Sequence, residues 1–299
     1  MDRNRKHIAY ILLYYNAYND TLECINSLIK LNNSDCDVSY VIVNNASPDG
    51  SFPELKSRLQ NIPNVYFIET KDNIGFARGN NTGIRFAKNK LNADFVIALN
   101  TDTVIEQIDF NNEIIRLFKE EQYYVLGPKV MSYNSDRLQS PIGNALENKP
   151  VKRYIENKLR LLLWETGLIF LLRRIRKPDT SISDGTRVFD KYHCVCSGCC
   201  LIFSPLFLAK WDGFYSNTFL YREETILFYI LNTLQCKTLY SDELSIYHKG
   251  GSANNTAYGK NERKRAIRYH KMRNDSLIQE MKIKHLKADS LSDLLVFSD

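Results

Sequence analysis

Four times within the first hundred residues, an apolar run is followed by a segment whose apolar positions recur at helical spacing, and few architectures accept that alternation. Residues 8–13 are almost continuously apolar, which suits a strand covered on both faces. The run breaks at Tyr15-Asn16-Ala17-Tyr18-Asn19-Asp20. Leu22, Ile25, Leu28 and Ile29 then mark a helix, with Asn19 or Asp20 expected as its N-cap. A second strand is predicted over 40–43, a turn at 44–50, a helix through Leu55 and Leu59, and a third strand over 65–68. A glycine-rich loop at 72–79, a helix through Ile84 and Ala87 and a fourth strand over 95–99 complete the pattern. It predicts an α/β fold with a mostly parallel sheet flanked by helices, whose polar loops gather at the strands' C-terminal edge.

The second half reads differently. Strands are expected at 125–131 and 194–203, a helix across 152–174, a helix, loop and helix over 206–234, a strand at 237–240 and a basic helix over 260–285. With 299 residues the chain can form one large domain or two small ones around a sizeable core. No apolar run approaches the roughly 20 residues of a membrane-spanning helix, and residues 1–7 are polar and are not followed by the apolar region and cleavage site expected of a leader. The seven cysteines, at 24, 36, 194, 196, 199, 200 and 236, are odd in number and partly crowded, a poor disulfide framework. A reducing, cytoplasmic setting is expected.

Charge is distributed unevenly. Residues 150–178 carry a net charge of +6 and residues 260–287 one of +7, so the remainder of this +6 chain is acidic. Such segments suit phosphates, an anionic membrane surface or nucleic acid, or else form solvated helix faces. No reader motif or interleaved aromatic platform supports nucleic acid.

Three local features bear on chemistry. In the loop 72–83, Gly75 and Gly79 allow positive φ and close backbone approach, and Arg78 beside a helix N-terminus favours an anion; a plain turn is the alternative. Neither GxGxxG nor GK[ST] is present. In Leu99-Asn100-Thr101-Asp102-Thr103, a carboxylate just beyond a buried strand can ligate Mg²⁺ or Mn²⁺, or simply cap a turn. Cys194, Cys196, Cys199 and Cys200 lack a second ligand pair for zinc and fit small apolar positions on a buried strand.

Together with further segments, these features carry a family resemblance. In order they are the first strand ending in Tyr15-Asn16, Val43 to Ser51, Asn73 to Gly83, Leu99 to Asp102, Ser197-Gly198, Trp211 to Phe214, Phe219 to Glu224 and Tyr247 to Ser252. The chain resembles the family 2 glycosyltransferases of the GT-A fold, and is most similar to the bacterial branch that builds O-antigen, capsule and rhamnan chains. The resemblance implies a Rossmann-like sheet with a helical insertion and a C-terminal helical segment. It further implies a GT-A domain over 1–255, divided into a nucleotide-sugar-binding half (1–125) and an acceptor-binding half (126–255) that contains the basic apolar insertion 150–178. Residues 256–299 would then be a basic helical extension.

Carried over residue by residue, the resemblance implies an inverting, metal-dependent transfer from a nucleotide diphosphate sugar to a growing surface glycan. Tyr15, Asn16, Asn44, Asn73, Gly75, Arg78, Asn100, Ser197 and Gly198 would contact the donor. Asn44 stands where the family usually has a base-reading Asp, and Asn100 occupies the first position of the metal motif whose retained carboxylate is Asp102. His248 is either a further metal ligand or a structural histidine. Glu224 matches the second acid of the pair that holds the catalytic base, although the family usually has the shorter Asp there. Those departures motivate the alternative of a nucleotide-sugar-binding scaffold without turnover. An acceptor linked to polyprenyl diphosphate would suit the stretch 159–175 as an interfacial helix on the inner face of the cytoplasmic membrane, with Leu162, Leu163, Trp164 and Phe170 inserted; packing on the domain or on another copy of the chain is the alternative.

Overall fold

The computed structural model describes residues 5–135, 137–144, 149–170, 189–250 and 261–296. In the first half β1 (Lys6–Tyr14), α1 (Tyr18–Leu28), β2 (Cys36–Asn44), α2 (Phe52–Leu59), β3 (Val65–Glu69), α3 (Gly75–Asn89) and β4 (Phe95–Leu99) follow one another. The strands lie in the order β3-β2-β1-β4 with every neighbouring pair parallel, as the alternation predicts. Tyr14 pairs with Asn44, Asn44 with Glu69, and Leu12 with Leu99, so the loops that follow all four strands emerge on one edge.

Strand β1 explains why the sheet is covered on both sides. Ile8, Tyr10 and Leu12 enter one core cluster, while the alternating Ala9 and Ile11 enter another with Ala77, Ile84 and Ala87 of α3. Helix α3 lies close on that face because Gly83 has no side chain: a Cβ there would stand 2.3 Å from Cγ2 of Ile11.

The second half adds β5 (Thr103–Val104), α4 (Phe110–Glu121), β6 (Val125–Ser132), β7 (Leu138–Ser140), β8 (Gly143–Asn144), α5 (Pro150–Thr166), β9 (Cys194–Val195), β10 (Cys200–Phe203), α6 (Pro205–Leu208), α7 (Glu223–Thr233), β11 (Thr238–His248), α8 (Glu262–Lys284) and α9 (Ala288–Leu291). The sheet continues β4-β10-β6-β11-β5, with β10 antiparallel to both neighbours and β11 parallel to β6. Helices α5 and α8 form an antiparallel pair, since Asn157 donates to Oδ1 of Asn274 (2.8 Å) whereas Trp164 accepts from Arg263 (2.9 Å).

Several boundaries differ from the sequence expectation. Ala17, not Asn19 or Asp20, is the N-cap of α1, and no side chain caps it. The expected loop 72–79 ends at Ile74, because α3 begins at Gly75. The strand over 194–203 splits into β9 and β10 around the segment 196–199. Helix α5 stops at Gly167, whose φ of 81° reverses the chain; the end of the expected helix at 171–174, with the arginines and lysine of 173–177, lies outside the described residues. Strand β11 runs to His248 through a register shift between Ser241 and Ser245, past the polar residues at which the sequence suggests a stop.

Candidate active site

At the common edge Asn45 is the hub. Its Nδ2 donates to Oδ1 of Asn73 (3.1 Å) and to the carbonyl of Gly75 (3.2 Å), and its Oδ1 accepts from the amide of Ile74 (3.0 Å). Oδ1 of Asn73 also accepts from the amide of Gly75 (3.0 Å), and the amide of Phe76 donates to the carbonyl of Phe219 (2.7 Å). These first amides of α3 therefore have protein acceptors already. What Gly75 supplies is close approach: its φ is 84°, and a Cβ there would stand 2.4 Å from the Phe219 oxygen.

Beyond β4, Asp102 is met by the end of β11. Thr103 pairs with His248, and the amide of Lys249 donates to the Asp102 carbonyl (3.0 Å). Gln139 sets the imidazole. Its Nε2 donates to the His248 carbonyl (3.3 Å), so its Oε1 faces Nδ1 (2.7 Å), and Nδ1 is assigned the proton on that network. Nε2 stands 3.2 Å from Oδ1 of Asp102, a separation that either a proton on Nε2 or a cation held between the two atoms satisfies. An octahedron with bonds of about 2.1 Å has an edge of about 3.0 Å, so the pair fits Mg²⁺ or Mn²⁺. Among the described residues no three His, Cys, Asp or Glu converge. Waters and phosphate oxygens would complete such a shell, as is usual for Mg²⁺.

The opposite wall is built by the turn before α7. Tyr221 and Arg222 both adopt left-handed backbone, with φ of 76° and 74°. For side-chain-bearing residues this costs on the order of 1–3 kcal/mol each, strain that persists only where surroundings impose it. The turn releases directly into Glu223 and Glu224 at the start of α7. Glu224 is half-buried and lies against Gly198, where a Cβ would stand 3.3 Å from its Oε2. Burial raises its carboxyl above the usual range, and Thr225 donates to its Oε1 (3.2 Å). Glu223 is 2% exposed, and burial followed by the charge of Glu224 pushes it up to about 8. Its Oε1 has no hydrogen-bond partner among the described residues.

These two walls enclose a cavity of about 370 Å³, which Tyr15, Asn73, Gly75, Asn100, Asp102, Ser197, Gly198, Glu224 and His248 all line. Cys199 lies between them. Burial pushes its thiol up to about 12, and the charges of both Asp102 and Glu224 add to the rise. The other three cysteines of the run are buried and free as well, as packing predicts. Three expected donor contacts stand apart from the lining. Asn16 accepts from the Ser47 hydroxyl (2.8 Å), Asn44 accepts from the Ser47 amide (3.0 Å), and Nε of the exposed Arg78 donates to the Ser216 carbonyl (3.1 Å). Asn45, Thr101 and Phe219 line the cavity without a role expected from the sequence, and Glu223, the first acid of the expected pair, lines it as well. Asn45 adjoins Asn44, so its motif contains the signal.

The comparisons bear on family and fold. The family model Glycosyl transferase family 2 matches residues 10–194. The chain belongs to glycosyltransferase family 2. It is 28% identical over 93 residues to the low-salt glycan biosynthesis hexosyltransferase Agl10 of Haloferax volcanii, a stretch that is 31% of this chain and 28% of that protein. It is 35% identical over 74 residues to the uncharacterized glycosyltransferase YfnE of Bacillus subtilis, 24% of this chain and 19% of that one. The aligned stretches thus span well under half of these relatives. S. aureus TarS 1-349 in complex with UDP-GlcNAc superposes with a TM-score of 0.56 at 14% identity, over 97% of this chain and 70% of that one. The mannosyltransferase PcManGT from Pyrobaculum calidifontis, in complex with GDP-Man and Mn²⁺, gives 0.53 at 12% identity, over 98% and 74%. The fold is that of the GT-A glycosyltransferases.

Proposed function

We propose that this member of family 2 is an inverting, divalent-metal-dependent glycosyltransferase, moving a hexosyl or deoxyhexosyl unit from a nucleotide diphosphate sugar to a growing surface glycan of the O-antigen or capsule kind. One observation carries the reading: an Asp102–His248 pair suited to a cation and a half-buried Glu224 line the same cavity. Fold relatives that hold UDP-GlcNAc, or GDP-Man with Mn²⁺, support a nucleotide-sugar donor.

The chain's own groups suffice to describe the transfer. Asp102 and His248 would hold Mg²⁺ or Mn²⁺, whose charge would offset that of the departing nucleotide diphosphate. Asn100, Asn73 and Tyr15 border the donor side, while Ser197 and Gly198 leave room for both sugars beside Glu224. Glu224 takes the proton of the acceptor hydroxyl as that oxygen attacks the anomeric carbon, and the bond to the diphosphate breaks on the opposite face. Its raised affinity for a proton makes it a better base than an exposed Glu. Glu223, pushed up to about 8, is mostly protonated at neutral pH, so the adjacent acids need not both be charged.

An acceptor on polyprenyl diphosphate is consistent with α5. Val151, Ile155, Leu159 and Leu162 are each at least 55% exposed on one stripe, with Lys152 and Lys158 beside it. That layout supports peripheral docking on the inner face of the cytoplasmic membrane. Among the described residues no helix is long and apolar enough to cross a membrane. Trp164, expected among the inserted side chains, is instead buried in the face of α5 turned toward α8.

A panel of nucleotide sugars with and without Mn²⁺ tests the reading, first by thermal stabilisation and then by transfer. One donor is expected to stabilise the chain, by about 2.7 kcal/mol at 100 times its Kd, and to be turned over. Mn²⁺-dependent binding without transfer or donor hydrolysis would leave a scaffold.

A further inference from the structure

The strained turn that delivers Glu223 and Glu224 is held residue by residue, and mostly from one helix far along the chain. The Phe219 carbonyl accepts from Phe76 of α3. From there on α8 takes over: Oγ of Ser276 donates to the Leu220 carbonyl (3.0 Å), and the ring of Tyr269 meets the Tyr221 ring edge-on at 4.8 Å. The guanidinium of Arg222 donates through Nε (2.9 Å) and Nη2 (2.6 Å) to one carboxylate oxygen of Glu280. Both side chains of that pair are buried, at 7% and 0% exposure.

A wholly buried ion pair is a poor way to gain stability, since apolar side chains of the same volume often do as well. What it supplies is direction: two hydrogen bonds from one guanidinium to one oxygen fix where Arg222 sits, and Glu223 begins at the next bond. The surroundings make Glu280 hard to replace. Arg153 of α5 and Lys284 of α8 also feel its charge and that of Arg222, so Glu280 is a carboxylate set among several cations, with Glu156 also acting on Arg153.

We infer that Glu280 is a positioning residue for Glu224, acting through Arg222, and that Ser276 assists it by holding Leu220. Helix α8, beyond the family-matched residues 10–194, is thereby a working part of the site rather than an appended basic segment. The inference rests on the reading of Glu224 as the base.

The test measures transfer by the full-length chain with its donor and Mn²⁺. Glu280→Gln is expected to lower kcat by about 10- to 100-fold, the scale of a misplacement near 1 Å, while donor KM stays within about twofold. The acid limb of the kcat profile should also move to lower pH, because Glu280 is among the charges that raise Glu224. Ser276→Ala should lower kcat by about 3- to 10-fold, the worth of one hydrogen bond, with donor KM again unchanged. If Glu280→Gln does not fold, Ser276→Ala decides alone. Folded variants with wild-type kcat and acid limb, or a loss that appears in donor KM instead, overturn the positioning role. A wild-type chain that transfers no sugar to any acceptor overturns the reading of Glu224, and this inference with it.

Discussion

The two halves of the molecule reach one cavity by opposite means. In the first half each site loop follows directly from the strand before it, so Tyr15, Asn45, Asn73 and Asn100 are brought together by four parallel strands and three local helical connections. In the second half the decisive contacts are made between segments distant in sequence: Gly198 with Glu224, Arg222 with Glu280. The first wall inherits its geometry from the sheet, whereas the second depends on strained backbone held by long-range contacts. Substitutions in the second wall should therefore alter turnover, and those in the first should alter donor binding.

The largest effect belongs to the second wall. Glu224→Gln should cut transfer by roughly 10² to 10⁴-fold, the usual range for a general base, with donor affinity unchanged by calorimetry. In the wild type, kcat should fall as pH drops through the raised pKa of Glu224, above the ordinary range of an exposed Glu. Equal losses in binding and turnover would erase the distinction between the walls. Asp102→Ala probes the other side. The Mn²⁺-dependent part of nucleotide diphosphate affinity should disappear, a loss on the order of 10- to 100-fold, while circular dichroism stays that of the wild type.

Smaller effects sharpen the contrast. Glu223 has a folded pKa of about 8 against an ordinary 4.5, so the folded state holds the proton more tightly. Its contribution is complete below the unfolded pKa and is lost as pH rises from about 4.5 through about 8. Glu223→Gln keeps the neutral shape, so its Tm should exceed the wild type's at pH 8.5, and the gap should close below pH 5, each pKa unit being worth about 1.4 kcal/mol. A gap independent of pH would show that Glu223 does not titrate with folding. The mildest expected effect on chemistry comes from replacing Ile155, Leu159 and Leu162 with Ser. Co-sedimentation with anionic liposomes should fall and transfer to a short soluble acceptor should persist; loss of an oligomer instead would make the stripe a contact between copies of the chain.

Legibility in the sequence follows the same division. The parallel order β3-β2-β1-β4 could be read because alternation is a local signal, and Asp102 because a carboxylate at a strand end stands out. Arg78 stands outside the cavity lining for a related reason: beside a glycine-rich loop it reads as an anion ligand, whereas the helix has already begun at Gly75 and its Nε donates to the Ser216 carbonyl. Strand β11 is underread because Ser241, Asp242 and Glu243 look like a loop; they form the irregular stretch whose register shift lets the strand continue to His248. The role of Glu280 leaves no local trace, since an acid on a basic helix reads as a solvated face until Arg222 is placed against it. Trp164 belongs to the same class, since it is buried on the face of α5 that meets α8.

The central claim is a single displacement with Glu224 as base on the face opposite the leaving diphosphate, and the anomeric configuration of the product tests it most directly. Proton NMR of the first product formed from an α-linked nucleotide sugar, recorded before further extension, should show a β linkage. An α linkage would contradict the account, because retention requires a second displacement or a front-face route in which Glu224 does not serve as the base.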